Sequence, residues 1–148
     1  MSAHVGRLRA VVGHELLLLP SVSVLPIDDA GRVLLVRHTG HHDGWAVLGG
    51  CIDPGEAPED AAVREAREEI GAQIRLRSLL GVFGGPDYEV TYPNGDRTAY
   101  VTAAYEAGIV SGAPAPSDGE LSDVAWVGPR DLPLSRLSRA LLEAIQRI

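Results

Sequence analysis

Three glutamates in the stretch REAREEIGA, residues 64–72, have the types and spacing of a chemical site. Glu65, Glu68 and Glu69 stand at positions i, i+3 and i+4, so in a helix their carboxylates share one face. Like charges at this spacing repel one another. Gly71 marks the C-terminus of the helix, where the macrodipole disfavours anions. The sequence therefore concentrates negative charge where a helix tolerates it least.

Two interpretations account for this acidic face. Most charge runs are solvated surface, and Arg64 and Arg67 would then partly balance the glutamates. The other is a divalent cation site, because Mg²⁺ takes oxygen ligands and bridges carboxylates to substrate phosphates. The double glycine at 49–50, ahead of the helix, favours the cation site, since glycine lets the main chain come close to an ion.

A helix must position these carboxylates. Pro58 is favoured in a first helical turn, and Glu59 and Asp60 suit the dipole there, so we expect the helix to begin near Pro58 and to end at Gly71. Its apolar side chains fall on an arc next to the acidic one, which gives the helix a face to bury. These residues are Ala62, Val63, Ala66 and Ile70.

The segments before this helix read as strands. The apolar runs Leu8–Val12 and Leu16–Leu19 are predicted to be edge strands. The segments SVSVLPI and RVLLVRH flank Asp28, Asp29 and Gly31, which are typical turn residues, so they predict a hairpin.

After the helix we expect a strand over 73–83, a hairpin turning at Asn94-Gly95, and a strand over 123–128. A terminal amphipathic helix should then pack on the sheet. Its apolar residues are Leu134, Leu137, Leu141, Ile145 and Ile148.

The composition limits the classes of partner. The 148 residues are 45% hydrophobic and carry a formal net charge of −7, which fits one domain. Without a basic run, we expect no nucleic acid polymer as partner. The apolar run at 16–27 is proline-interrupted and too short for a bilayer, and no signal peptide is recognisable, so we expect no membrane association. The single cysteine, Cys51, fits a reducing cytoplasm.

The spacing from Gly50 to Ala72 resembles the Nudix box of the Nudix hydrolases, the MutT-like family. Five residues separate Gly50 from Glu56, and seven separate Glu56 from the run that begins at Arg64. Two positions depart from the family pattern: Leu48 stands where LPGG would place a proline, and Asp53 stands where glutamate is common. We expect the first to loosen the entry turn and neither to abolish the chemistry.

The resemblance implies a fold, a cofactor and a set of roles. The fold would be an α/β/α sandwich with a mixed β-sheet, formed by residues 1–148 as a single domain, and the cofactor Mg²⁺ or Mn²⁺. The expected metal ligands are Glu65, Glu68, Glu69 and the Gly50 carbonyl. Arg64 would orient a carboxylate, and Glu56 would steady the junction of loop and helix or reach a metal through water. Gly49 would allow a close approach, and Gly71 would cap the helix.

The proton acceptor and the substrate contacts stay open. Glu68 or Glu69 could be the general base, and Glu120 is a further candidate, either for the base or for a fourth acidic metal ligand. A solvated loop glutamate beside Asp118 and Asp123 is an equal alternative for Glu120. Five residues are candidate substrate contacts, with loop polarity, cross-strand packing or a dimer contact as alternatives. They are His38, His41, His42, Tyr92 and Arg97.

The function that the resemblance implies is hydrolysis of a phosphoanhydride. We expect a metal-dependent pyrophosphohydrolase acting on a nucleoside diphosphate linked to another group, of the ADP-ribose or nucleotide-sugar type. The alternatives are a nucleoside triphosphate pyrophosphatase and a non-catalytic nucleotide sensor. We expect a small nucleotide-type substrate, and a homodimer is possible.

Overall fold

The computed structural model describes residues 2–40, 44–128 and 130–146. Runs of consecutive strands are separated by the helix α2. In order they are α1 (Ala3–Val12), β1 (Leu17–Pro26), β2 (Val33–His38), β3 (Ala46–Cys51), α2 (Pro58–Ile70), β4 (Gln73–Phe83), β5 (Glu89–Thr91), β6 (Arg97–Ser111), β7 (Leu121–Val127) and α3 (Arg136–Ala144).

The strands form one mixed sheet in the order β4-β6-β1-β3-β2-β7, and β5 pairs with β6. β1 and β6 run parallel from the pair Leu17↔Thr98 to the pair Pro26↔Ala107. The other neighbouring strands are antiparallel. The mixed sheet predicted from the sequence is therefore confirmed.

Helices cover both faces of this sheet, because alternate strand residues point to opposite sides. Val22, Leu34 and Leu48 belong to a core with the buried residues of α2. Leu35 and Val47 belong to a second core with Leu141 and Leu142 of α3. The predicted α/β/α sandwich is confirmed.

The prediction of an edge strand at Leu8–Val12 is wrong, since this run lies in α1. The Ser2 side chain caps the helix by accepting a hydrogen bond from the Val5 N–H, and the helix ends before Gly13, which has a φ of 63°. Periodicity alone does not separate strand from helix in so short an apolar run.

The predictions for Leu16–Leu19 and for the first hairpin also need correction. Leu17 opens β1, which lies inside the sheet between β6 and β3 rather than at an edge. β3 also separates β1 from β2, whose only direct pairing in the described residues is the bridge Ile27↔Val33. The turn itself forms as predicted, because Asp28 accepts hydrogen bonds from the Ala30 and Arg32 N–H groups.

The elements from the acidic helix onward follow the sequence closely. α2 begins at Pro58, β4 spans 73–83, and β5 and β6 form the hairpin around Asn94-Gly95. α3 begins after Ser135, which caps it, so Leu134 lies just outside the helix. Ile148 lies outside the described residues. No helix in the described part of the chain is long and apolar enough to cross a membrane.

Candidate metal centre

Two of the three glutamates in the stretch 64–72 are buried. Glu65 is 9% exposed and Glu69 is 3% exposed, whereas the Glu68 side chain is 54% exposed. A solvated acidic face would leave all three in water. The interpretation of the run as plain surface therefore fails for Glu65 and Glu69, which α2 carries toward the sheet beside its apolar face.

The double glycine of β3 makes two close approaches, and one of them is to Glu65. A Cβ on Gly50 would lie 2.3 Å from Glu65 Oε1, and a Cβ on Gly49 would lie 2.1 Å from the Val22 carbonyl oxygen. Gly50 thus brings the main chain of β3 directly against the Glu65 carboxylate, whereas Gly49 lets β3 pack closely on β1.

Arg64 ties the acidic residues to the loop before the helix. Its Nε and Nη2 donate to the two oxygens of Glu56 at 2.7 and 2.9 Å, and Nη2 also donates to the Cys51 carbonyl at 3.0 Å. Its Nη1 donates to Glu65 at 3.0 Å and to Glu68 at 3.2 Å. The guanidinium therefore orients Glu65, and Glu56 fixes the guanidinium by a bidentate pair.

Glu56 also steadies the loop itself, as the sequence predicts. Its Oε1 accepts a hydrogen bond from the Asp53 N–H at 3.1 Å. The hydrogen bonds from Arg64, above all, hold the pKa of Glu56 below its usual range. Glu56 is therefore an anion that links the loop to α2 through these hydrogen bonds.

Burial raises the pKa values of the two inner carboxyls. Burial, followed by the charges of Glu65 and Glu120, raises the pKa of Glu69 to about 9. Burial also raises the pKa of Glu65 to about 7, although the Arg64 charge and hydrogen bond oppose it. Burial of like charges in a low-dielectric site explains why both pKa values are raised, and a bound cation would lower them.

The loop after β6 closes over the C-terminus of α2. Gly71 has a φ of 64° and ends the helix as a left-handed cap, as predicted. The terminal carbonyls of Glu69 and Ile70 accept hydrogen bonds from the Ser117 and Ala115 N–H groups. The loop thereby supplies donors to the negative end of the helix.

This loop also brings two more carboxylates to the pair. Glu120 raises the pKa of both Glu65 and Glu69, and Asp118 raises that of Glu69. Glu120 was a candidate from the sequence, whereas Asp118 was considered only as its solvated neighbour. Main-chain hydrogen bonds of the loop position Asp118, and side-chain types in the sequence do not predict such bonds.

The residues present fit a divalent metal. Glu69 Oε2 is buried and accepts no hydrogen bond from any described residue. A buried, unpartnered carboxylate oxygen is costly unless a cation or proton meets it. Across the described ranges, no three acidic, histidine or cysteine side chains already surround one point. Glu68 accounts for this, because its carboxylate turns outward to Arg64.

The histidine candidates divide between described and undescribed residues. His38 ends β2 opposite Leu121, and the next residue, Thr39, donates its N–H to the Glu120 carbonyl at 2.9 Å. His38 is therefore adjacent to the loop that carries Glu120. His41 and His42 lie outside the described residues.

Tyr92 and Arg97 lie on the β5–β6 hairpin. The Tyr92 hydroxyl pairs with that of Tyr100, and the Arg97 carbonyl accepts a hydrogen bond from Arg9 of α1. Both contacts are structural, and no local sequence pattern indicates that α1 holds this hairpin. A substrate contact by either residue stays a prediction.

The comparisons with known proteins agree with the box. The family model described as NUDIX domain matches residues 17–148. A putative 8-oxo-dGTP diphosphatase of Bacillus subtilis is 32% identical over 112 residues, covering 75% of this chain and 67% of that protein. The NAD-capped RNA hydrolase NudC of Vibrio parahaemolyticus is 28% identical over 125 residues, covering 81% of this chain and 44% of that protein.

The fold has solved counterparts. The MutT NUDIX hydrolase of Burkholderia pseudomallei superposes with a TM-score of 0.70 and 27% identity, covering 86% of this chain and 97% of that one. Hydrolases of this kind generally use divalent metals. Since the family model covers most of the sequence, the chain belongs to the Nudix hydrolase family.

Proposed function

We propose that the chain is a pyrophosphohydrolase that requires Mg²⁺ or Mn²⁺ and cleaves the phosphoanhydride of a nucleoside diphosphate linked to another group. The observation that carries the proposal is the buried Glu65 and Glu69 pair, in which Glu65 lies against Gly50 of β3 and Glu69 Oε2 is unpartnered. A buried pair of carboxyl groups destabilises the metal-free protein, so such a pair is not expected in a segment that serves only the fold.

The ligands in this proposal are Glu65, Glu68, Glu69 and the Gly50 carbonyl. When bound, the metal would neutralise the diphosphate and lower the pKa of a water that attacks phosphorus. Arg64 holds Glu65 in place by its hydrogen bond, and its bond to the Cys51 carbonyl fixes the main chain next to Gly50. Glu68 would exchange its contact with Arg64 for the metal.

The general base in this proposal is a carboxylate that accepts the proton of the water. Glu120 is favoured because its charge raises the pKa of both Glu65 and Glu69. It also lies on the loop that covers the C-terminus of α2. Glu68 and Glu69 are the alternatives. His38, next to the same loop, is proposed to contact the phosphates, together with His41 and His42.

A nucleoside triphosphate pyrophosphatase is the second candidate. The relative from Bacillus subtilis favours it, since that protein is named as an 8-oxo-dGTP diphosphatase. A non-catalytic sensor is less well supported, because every glutamate of the box is present here. We also propose a cytoplasmic location, and a homodimer for which the exposed Leu18 and Val82 offer apolar contacts.

A substrate panel tests the proposal. Purified protein is incubated with ADP-ribose, nucleotide sugars, dinucleoside polyphosphates and nucleoside triphosphates, each with Mg²⁺, with Mn²⁺ and with a chelator. We expect metal-dependent release of a nucleoside monophosphate from a linked diphosphate. Preferential release of pyrophosphate from a triphosphate would support the second candidate. Tight nucleotide binding without any turnover would reject both hydrolase candidates and support the non-catalytic sensor.

Glu69→Gln tests the metal assignment. We expect turnover to fall on the order of a hundredfold to ten-thousandfold, with the fold retained because the amide fills the same space. Asp60→Asn is the matched control, since Asp60 is an exposed acid in the first turn of the same helix. Activity that survives Glu69→Gln would overturn the assignment.

A further inference from the structure

The loop between β6 and β7, residues 112–120, is fastened at both sides of its last turn. The Ser117 N–H donates to the Glu69 carbonyl at 3.0 Å, which ties the loop to the C-terminal turn of α2. The Glu120 carbonyl accepts a hydrogen bond from the Thr39 N–H at 2.9 Å, which ties the loop to the end of β2. The segment 118–120 therefore bridges two fixed points, one of them in the candidate metal centre.

A side-chain hydrogen bond closes the turn inside this bridge. Asp118 Oδ1 accepts a hydrogen bond from the Glu120 N–H at 3.0 Å. The bond joins residues i and i+2, the pattern in which an aspartate or asparagine side chain imitates a main-chain turn. Gly119 between them has a φ of 82°, a left-handed conformation that glycine adopts readily. The turn therefore depends on both Asp118 and Gly119.

Glu120 needs such a turn because burial does not hold it. Asp118 and Glu120 are both exposed. The charge of Glu120 nevertheless raises the pKa values of the two buried glutamates of α2, which places its carboxylate near them. Its N–H is bound to Asp118 and its carbonyl to Thr39, so both main-chain polar groups of Glu120 are engaged. The main chain thus fixes the direction in which the Glu120 side chain leaves the loop.

We propose that Asp118 is a positioning residue, which acts on the reaction only through Glu120. By accepting the Glu120 N–H, it holds the Glu120 carboxylate where that group takes the proton of the attacking water. This inference rests on the proposed function, since it assigns the residue that orients the favoured general base. The rival role is that Asp118 acts by its own charge, as a further acid facing the metal.

A second turn in the same protein has an asparagine in the equivalent position. Asn94 Oδ1 accepts a hydrogen bond from the Asp96 N–H at 2.9 Å, across Gly95, which has a φ of 95°. An asparagine therefore closes this kind of turn without a negative charge. Asp118→Asn should keep the turn and remove the charge, whereas Asp118→Ala should remove both.

Steady-state kinetics at saturating Mg²⁺ compare these two variants on the substrate that the wild-type protein hydrolyses fastest. We expect Asp118→Ala to lower kcat about tenfold to a hundredfold, because a misplaced catalytic group slows the reaction, and to change KM less than about threefold. Asp118→Asn should keep kcat within about threefold of the wild-type value. Asp123→Ala is the matched control, since Asp123 is an exposed acid of β7. Equal losses in both Asp118 variants, or no loss in Asp118→Ala, would overturn the proposal.

A double-mutant cycle measures whether Asp118 acts through Glu120. Glu120→Gln removes the proposed base and should lower kcat about a hundredfold or more. Adding Asp118→Ala to Glu120→Gln should lower kcat less than about twofold further, because the group that Asp118 positions is already gone. If Asp118→Ala costs the same factor in both backgrounds, or if Glu120→Gln keeps full activity, Asp118 does not act through Glu120.

Amide ¹⁵N relaxation of the metal-free protein gives a measurement that needs no turnover. The order parameter of the Glu120 amide should fall by about 0.2 in Asp118→Ala and stay near the wild-type value in Asp118→Asn. An unchanged order parameter in Asp118→Ala would show that the side-chain bond does not hold Glu120, and would reject the positioning role.

The possible outcomes separate this inference from the proposed function. Hydrolysis by the wild-type protein with full activity in Asp118→Ala would reject the positioning role and leave the hydrolase proposal standing. If the wild-type protein hydrolyses no substrate, the hydrolase proposal fails, and the order parameters alone then support or reject the fixation of Glu120 by Asp118.

Discussion

Arg64 and Arg9 are two partly buried arginines whose hydrogen-bond partners differ in kind. The Arg64 side chain is 27% exposed, and three of its partners are the carboxylates of Glu56, Glu65 and Glu68. The Arg9 side chain is 8% exposed, and it donates to three main-chain carbonyls and one hydroxyl. The same guanidinium fork therefore balances charge at the candidate metal centre and fastens main chain at α1.

The difference teaches where function and stability separate in this fold. Around Arg64 the chain places charges that cost stability, as the raised pKa values of Glu65 and Glu69 indicate. Around Arg9 it satisfies main-chain acceptors at the ends of α1 and β6. We expect changes at Arg64 to act on catalysis and changes at Arg9 to act on the free energy of unfolding.

Of the two arginine variants, Arg64→Lys should have the larger effect on activity. Lysine keeps the charge but lacks the planar fork that contacts Glu56 with two bonds, so Glu65 and the loop lose their fixed position. We expect kcat/KM to fall about tenfold to a hundredfold, as for partners that orient metal ligands, and the apparent Mg²⁺ affinity to fall with it. Steady-state kinetics over a Mg²⁺ series measure both. If the Arg64→Lys protein has wild-type kinetics, a positive charge at position 64 is sufficient for activity and the planar guanidinium is not required.

Arg9→Ala should instead lower the free energy of unfolding, by about 1.5–3 kcal/mol, because three main-chain carbonyls and the Thr98 hydroxyl lose a charged donor. We expect kcat at saturating substrate to change less than about twofold, since Arg9 touches none of the proposed metal ligands. Urea unfolding and the same kinetic assay test the two parts. Arg7→Ala is the control for a charge on α1, because Arg7 is exposed. A collapse of kcat in Arg9→Ala would remove the distinction between the arginines.

The two arginine networks also differ in how far the sequence could predict them. The partners of Arg64 lie within 13 residues of it, on one helix and its entry loop, so helical periodicity and the Nudix resemblance indicate the cluster. Arg9 contacts residues 88 and 89 positions away. No local pattern encodes such a contact, and α1 itself was predicted as a strand.

The errors in the fold have the same origin. α2, β4 and the β5–β6 hairpin follow from caps, periodicity and turn residues that are neighbours in sequence. The insertion of β3 between β1 and β2 depends on pairings such as Val22↔Gly50, which only the folded sheet reveals. The burial of Glu65 and Glu69 is likewise a tertiary result, and it is what turns an acidic run into a candidate site.

The pH dependence of stability between about pH 5 and 9 should come from the Glu65 and Glu69 region and not from the Arg9 region. In the metal-free protein the native state keeps protons on Glu65 and Glu69 up to a pKa of about 7 and about 9, whereas the unfolded chain loses them near 4.5. The native state then binds more protons, so the free energy of unfolding falls as the pH rises from about 5 to 9.

Urea unfolding at pH 5, 7 and 9 with a chelator measures this fall. Glu69→Gln should flatten it, and saturating Mg²⁺ should stabilise the protein most at the highest pH, because the metal replaces the protons. Arg9→Ala should leave the slope as it is. A free energy of unfolding that rises over this range would contradict the burial of the two carboxyls.

His14→Ala should have the smallest effect and marks the edge of the Arg9 region. His14 Nδ1 lies 2.7 Å from Asp96 Oδ1, but the histidine side chain is 66% exposed, so water screens the pair. The hydrogen bond from His14 is the largest cause that holds the pKa of Asp96 below its ordinary value. Its removal should therefore raise the pKa of Asp96, measured by NMR titration of the carboxyl carbon. Arg9 remains near Asp96 in this variant, so urea unfolding should change far less than in Arg9→Ala. If His14→Ala destabilises the protein as much as Arg9→Ala, the hairpin is held by its exposed ion pair, and the buried fork of Arg9 is not the clamp.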